Sequence, residues 1–314
     1  MFPKMRTKYN VCGSKGAVMF LPIVHVFYLL GCGNPNLSKD TSHMTNDIDK
    51  AIKCNGLEQL CDRTLHEVAF LRAHNAHASQ ERGYSPFAMN HFFAIPTQLR
   101  DGVRSINLDL YDQDGELLFC HGFCELGSQI ASELVQEIFD FLKENPYEVI
   151  IIDLQDESNG RSAEVFVDLE PYLWVQEEPF ESWPTLREMI EKNTRIVLFG
   201  NPRENDPKWL LSKSQWWYSN GWYYENPEDL NCDLTENMIQ NGFYEVTHVL
   251  TNPLAHPDLA ESINHQPMIG EHLQKCISEV GFVNFLSVDF YSIGDGIQVI
   301  HALNQGKDVI WNGQ

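Results

Sequence analysis

Short apolar runs rich in Val, Ile and Phe alternate along the chain with amphipathic stretches. The runs are VAFLRA (68–73), VRSINLDL (103–110), LLFC (117–120), VIIIDLQ (149–155), RIVLFG (195–200), HVLTN (248–252) and FLSVDFY (285–291). Helical patterns lie between them at 130–143, at 185–193 after Pro184, at 258–279 and at 295–304. Continuous apolar strands interleaved with helices predict a parallel sheet covered on both faces. About seven or eight such units in roughly 260 residues imply one α/β domain, a closed α/β barrel of regular or irregular build, with no internal repeat and no interior linker.

In a barrel the chemistry collects at the carboxyl ends of the strands. Polar residues stand at those places here: His74 and Asn75, Asn107 and Asp109, His121, Asp153 and Gln155, Asn252, and Asp289. Asn107 and Asp109 differ by two positions, as do Asp153 and Gln155, so each pair projects from one face of its strand. His74 and His121 each follow an apolar run, where a histidine has little packing reason to be. They read as the two halves of an acid/base pair.

The N-terminal stretch has a different character. A basic segment ending at Lys15 precedes AVMFLPIVHVFYLLG (17–31), about 22 Å of helix against a hydrocarbon core of about 30 Å. That is the layout of a secretory signal rather than a membrane span. Its end, Leu29-Leu30-Gly31-Cys32, resembles a lipobox, which makes Cys32 the expected lipidated first residue of a mature protein held at a membrane surface. The other reading is an ordinary signal peptide that happens to end beside a cysteine. Residues 33–50 are polar, as a tether is, and the barrel domain is expected over 51–314.

Charge and cysteine content narrow the function. The formal charge is −22, and residues 1–31 hold four cations and no acid, leaving 18 cations against 44 acids in the remainder. Such a surface argues against a nucleic-acid partner. Past Cys32 there are six cysteines, which after an export signal read as disulfides. Six cysteines allow fifteen connectivities. Short spacing favours Cys54 with Cys61 and Cys120 with Cys124, which leaves Cys232 with Cys276. A zinc site at CHGFC lacks a second ligand pair at finger spacing.

Four blocks in order carry a family resemblance: CNGLEQLCDRTLHEVAFLRAHNAHAS (54–79), IPTQLRDGVRSINLDLY (95–111), LLFCHGFCELGS (117–128) and NPYEVIIIDLQDES (145–158). Together they resemble the X-domain region of phosphatidylinositol-specific phospholipases C, and most closely the secreted bacterial and fungal PLC-like phosphodiesterases. SWPTLREMI (182–190) and LSVDFYSIGDGIQVIHALN (286–304) look like the same branch, so the resemblance covers roughly 54–304. It implies an irregular TIM barrel and a phosphoric diester hydrolase of phospholipase C type. In that chemistry a neighbouring hydroxyl of the head group attacks phosphorus, one histidine takes its proton, and another protonates the leaving oxygen. By resemblance His74 is the general base and His121 the general acid, with His77 a neighbour.

The phosphate also needs a fixed positive counterpart. Relatives of this family use either Ca²⁺ or an arginine. Asn75 and Asp109 match metal-ligand positions, with Asp153 a further carboxylate, but Asn107 and Gln155 stand where the calcium branch has acids. One carboxylate with three amides predicts weak Ca²⁺ binding. The alternative counterpart is Arg72, on the same strand face as His74, which reads either as a phosphate ligand or as half of a salt bridge. Asn107, Gln155, Asn252 and Asp289 are the expected substrate contacts. The aromatic stretch 202–232 reads either as a lipid- or sugar-facing rim or as packing beneath a long loop. Two other functions fit the same residues: a glycerophosphodiester or sphingomyelin-type phosphodiesterase, and a catalytically weak barrel used for binding at the cell surface.

Overall fold

Strands and helices alternate through most of the chain, as the hydrophobic pattern predicts. The computed structural model describes residues 52–177, 181–233 and 241–311, all within one compact unit, Lys50–Gln314. The expected signal with Cys32 and the tether 33–50 lie outside the described residues. In chain order the elements are β1 (Phe70–Ala73), α1 (Ile95–Asp101), β2 (Ser105–Gln113), β3 (Glu116–Cys120), β4 (Ser128–Ile130), α2 (Ala131–Glu144), β5 (Ile150–Glu157), α3 (Ser162–Phe166), α4 (Leu186–Glu191), β6 (Ile196–Gly200), β7 (Leu210–Ser212), α5 (Lys213–Trp216), β8 (Trp217–Ser219), β9 (Phe243–His248), α6 (Pro257–Ile263), α7 (Met268–Val280), β10 (Phe285–Val288) and α8 (Gly296–Asn304). No helix among the described residues is long and apolar enough to cross a membrane.

Eight strands form a curled parallel sheet in the order β7-β6-β5-β2-β1-β10-β9-β8. The first and last parts of the chain thus meet where β1 pairs with β10, Phe70 beside Phe285. The closure expected of the barrel is not met, for it stays open between β7 and β8. Parallel neighbours need a crossover of a dozen or more residues, and only the four residues of α5 join these two strands.

The inward face of the strands changes character along their length. Phe70, Ile151, Val197, Phe199, Trp217, Phe243 and Phe285 fill the amino-terminal half of the barrel, with Trp217 stacked flat on Phe285 at 3.9 Å. Two residues further on, the same faces carry Arg72, Asp153, Ser219, Glu245 and Ser287, which line a cleft. Outward-facing residues such as Leu71, Ile106, Leu108, Ile152 and Leu286 pack beneath the helices. An aromatic floor thus supports a polar ceiling.

Three further expectations need correction. LLFC (117–120) is not a parallel barrel strand: β3 returns antiparallel to β2, with Gln113 paired to Glu116. The turn residues Asp114 and Gly115 both have positive φ, 52° and 94°, the geometry of a two-residue hairpin, for which Asp-Gly is the sequence signature. The strand expected at 248–252 lies earlier, at β9, because buried Glu245 finds partners inside the barrel. The helix expected over 258–279 is two, α6 and α7, since Pro267 has no N–H to continue a helix. The aromatic stretch divides: Trp209, Trp216, Trp217 and Tyr224 are buried, whereas Trp222 and Tyr223 are exposed.

Three disulfides join Cys54 to Cys61, Cys120 to Cys124 and Cys232 to Cys276, the pairing that spacing favours. The Cys120–Cys124 bond encloses His121 in a short covalent loop. A side chain at Gly115 would meet nothing within 4 Å, so its substitution tests the turn alone. Gly115→Ala should destabilise the fold by about 1–2 kcal/mol through backbone strain, read as a lower urea midpoint with an unchanged slope.

Candidate active site

The polar ceiling of the barrel is built around a buried cation. Arg72 on β1 pairs with Asp153 on β5 and with Glu245 on β9 at 2.9 Å, and donates to the Ser287 hydroxyl at 2.5 Å. Lys213, at the start of α5, reaches Asp153 at 2.7 Å. Trp217 lies under both cations, its ring centre 5.6 Å from the Arg72 guanidinium and 5.0 Å from the Lys213 ammonium, and its indole N–H donates to Glu245. Burial works against the charge on Asp153, but Lys213 and Arg72 hold its carboxyl below the ordinary carboxylate range. The cleft above this network has a volume of about 290 Å³ and includes His74, Asn107, Gln155, Lys213 and Trp222 in its walls.

Both expected histidines are anchored through one ring nitrogen. His74 Nδ1 lies 2.9 Å from Asp289 Oδ1, and His121 Nδ1 donates to the Ala88 carbonyl at 2.8 Å. Among the described residues neither Nε2 has a hydrogen-bond partner. Burial disfavours the His74 imidazolium, yet Asp289 outweighs it and raises the pKa above the ordinary histidine value. Burial lowers that of His121, the Ala88 carbonyl offsets part of the effect, and a positive charge on His74 depresses it further. His74 lines the cleft, whereas His121 and Asp109 are not among its lining residues.

One loop holds both. Besides Ala88, the segment after β1 supplies Asn90, whose amide donates to Asp289 Oδ1 at 2.7 Å, and His91, whose Nε2–H donates to the His74 carbonyl at 2.7 Å. His91 Nδ1 accepts from the Tyr291 N–H at 3.4 Å, which fixes that tautomer, and burial lowers the His91 pKa to about 4. His77 is a buried neighbour bonded to the Cys120 carbonyl at 3.0 Å, its pKa lowered by burial to about 3.

Comparison with known proteins places this geometry in a family. The PI-PLC X family model matches residues 60–304. The chain belongs to the PI-PLC X family. It is 24% identical to a PI-PLC X domain-containing protein of Arabidopsis thaliana, over 76% of this chain and 62% of that one. It is 23% identical to an uncharacterized secreted protein of Arthroderma benhamiae, over 83% of this chain and 65% of that one. The chain thus spans a little under two thirds of each relative's length. Among solved structures it resembles the phosphatidylinositol-specific phospholipase C of Staphylococcus aureus, with a TM-score of 0.54 at 15% identity over 73% of this chain and 87% of that one. A mutant of the same enzyme gives 0.54 at 14% identity, over 79% and 94%. At these identities the likeness concerns the fold.

Within this PI-PLC X domain the other expected residues divide sharply. Asp289 does not line the cleft; its carboxylate orients His74. Asn252 is exposed beyond β9 and does not line the cleft. Gln155 lines the cleft and is exposed, its amide 3.5 Å from Glu157. Arg72 lines it too, but as half of the ion pairs with Asp153 and Glu245.

The donor set does not fit a calcium ion. Asn107 Oδ1 accepts the Asn75 N–H at 3.1 Å and its amide donates to the Asp153 carbonyl, while Asp153 faces two cations. The Asn75 amide donates to Asn90. Asp109 is left as a lone carboxylate, where a hard divalent ion takes six to eight oxygens. It is buried, its Oδ1 has no partner, and burial pushes its carboxyl up to about 7.

Lys213, Glu245, Asn90 and the Ala88 carbonyl are absent from the expected set. A buried acid inside FYEVTH was the available clue to Glu245; a backbone carbonyl leaves none. Arg72→Met leaves Asp153 and Glu245 buried without their cation. It should destabilise the fold by about 3–5 kcal/mol, measured by chemical denaturation.

Proposed function

We propose that this chain is a phosphoric diester hydrolase of phospholipase C type. The observation that carries this reading is the pair of Nδ1-anchored imidazoles with both Nε2 atoms free at the strand ends. A hydroxyl of the head group attacks phosphorus, His74 Nε2 takes its proton, and His121 Nε2 protonates the departing glyceride oxygen. Asp289 stabilises the imidazolium formed on His74. Lys213, a third exposed in the cleft, is the cation with donors left for a phosphate oxygen, and Asp109 adds a hydrogen bond when protonated.

The cleft favours a polyhydroxylated head group. Two cations, two acids and three amides supply donors and acceptors, and Trp222 is the one tryptophan, tyrosine or phenylalanine in its lining, whereas quaternary ammonium groups are bound by aromatic cages. The membrane holds the substrate, and Cys32 carries a lipid that keeps the enzyme there. Fatty-acid analogue labelling should tag the protein and fail in Cys32→Ala; a tag retained in that variant rejects the anchor.

Activity is read as release of phosphorylated head group from phosphatidylinositol vesicles, with phosphatidylcholine vesicles as the comparison. His74→Ala and His121→Ala should each lower kcat about 10²- to 10⁴-fold, and the double variant should lose much less than the product. The reaction uses the enzyme with one proton shared over the pair, so the pH profile is a bell. Its acid limb lies below, and its alkaline limb above, the ordinary histidine value of about 6.5, because His121 is lowered and His74 raised. Asp289→Asn removes the raising charge and should move the alkaline limb to lower pH. Undiminished turnover in His74→Ala sinks the mechanism.

A further inference from the structure

Away from the cleft, two buried imidazoles meet between β9 and α7. His248 Nδ1 lies 2.8 Å from His272 Nδ1. The outer nitrogens face carbonyl oxygens: His248 Nε2 lies 3.0 Å from that of Ile263, and His272 Nε2 lies 3.1 Å from that of Asn231. Carbonyl oxygens only accept, so the two outer contacts need one proton each and the central contact needs a third. Two neutral imidazoles carry two. One contact is therefore left with lone pairs facing each other unless a cation joins the chain. A third proton would create a buried imidazolium, and neither ring is hydrogen-bonded to a carboxylate.

Metal-ligating atoms surround the Asn231 end of this chain. Cys276 stands four residues after His272 on α7, so the two share a helix face, and its sulfur is 3.9 Å from the Asn231 carbonyl oxygen. Cys232 follows Asn231 in sequence and is bonded to Cys276. Both sulfurs and a His272 nitrogen lie within 4.8 Å of one another, and all three residues are buried. Bond lengths of about 2.3 Å to sulfur and 2.0 Å to nitrogen in a tetrahedral site fit within that span.

We propose that, once the Cys232–Cys276 bond is reduced, Cys232, Cys276 and His272 bind a borderline-soft divalent cation of the zinc class. Two equivalents of an external thiol reduce the bond, yielding two protein thiols and one external disulfide. The incoming cation displaces one proton from each thiol, binds both thiolates and the His272 Nε2 lone pair, and keeps water in the fourth position. His272 then carries its proton on Nδ1 and donates it to His248 Nδ1, and His248 Nε2–H donates to Ile263. Every contact left in the chain has its hydrogen, and His248 supports the ligand from behind. The contact between Cys232 and α7 thus has two alternative fastenings, a metal in reducing surroundings and a disulfide in oxidising ones.

The test uses the full chain, reduced with excess phosphine under anaerobic conditions and titrated with Co²⁺ as a spectroscopic substitute for Zn²⁺. Thiolate-to-cobalt charge-transfer and tetrahedral d–d bands should grow with a one-equivalent component that Zn²⁺ displaces. That component should be lost in Cys276→Ser and in His272→Gln, and kept in the Cys120→Ser, Cys124→Ser double variant. Zn²⁺ should also raise the melting temperature of reduced wild-type protein but not of oxidised protein, a measurement that does not depend on the variants folding. Equal bands in Cys276→Ser, equal bands in oxidised protein, or no zinc-dependent melting shift in the reduced chain would overturn the proposal.

Discussion

Everything at the mouth of this barrel rests on a charge taken out of water. Arg72 sits inside the ring of strands with Asp153 and Glu245 on either side, and Lys213 closes the set at two cations and two acids. No member is tolerable alone, because an unpaired buried charge is expensive, whereas the assembled set satisfies itself. Each acid lies one strand beyond the nearest neighbour of β1, across β2 in one direction and across β10 in the other. The ion pairs therefore span the curl of the sheet rather than run along it. Backbone pairing does not close the ring, so these side chains and the aromatic floor beneath them hold its shape.

The two histidines depend on a second device, the loop that leaves β1. Its Ala88, Asn90 and His91 fix His121, Asp289 and the His74 backbone in turn. Both imidazoles are held by groups within four residues of each other, although the histidines themselves stand just after β1 and at the end of a hairpin. Their relative placement is thus set before a substrate arrives, the condition under which positioned acid and base groups are most effective.

Hydrophobic pattern alone located most of the strands, because a strand buried on both faces reads as an unbroken apolar run: VIIIDLQ and RIVLFG are β5 and β6 almost residue for residue. It failed where local chemistry overrode the pattern, as at Asp114-Gly115 and Pro267, or where a charge lay inside a strand, as at Glu245. The histidines at 74 and 121 were legible because an ionisable group after an apolar run has no packing purpose. Their anchors were not. Asp289 was singled out as a substrate contact, and nothing in FLSVDFY says that its carboxylate turns toward His74. Arg72 left two readings open because its partners are 81 and 173 residues away, and only the fold brings them together.

The gap between β7 and β8 has a consequence for how such a site changes over generations. In a closed barrel the strand count and the stagger of the register are locked together, so a strand that slips obliges its neighbours to follow around the circumference. Here a displacement ends at the opening. Lys213 on α5 and Trp222 after β8 border that opening and reach into the cleft, whereas Asp109 lies on a strand of the paired side and His74 and Asp289 directly follow two others. Insertions near the gap can therefore reshape the cleft while His74, Asp109 and Asp289 keep their places.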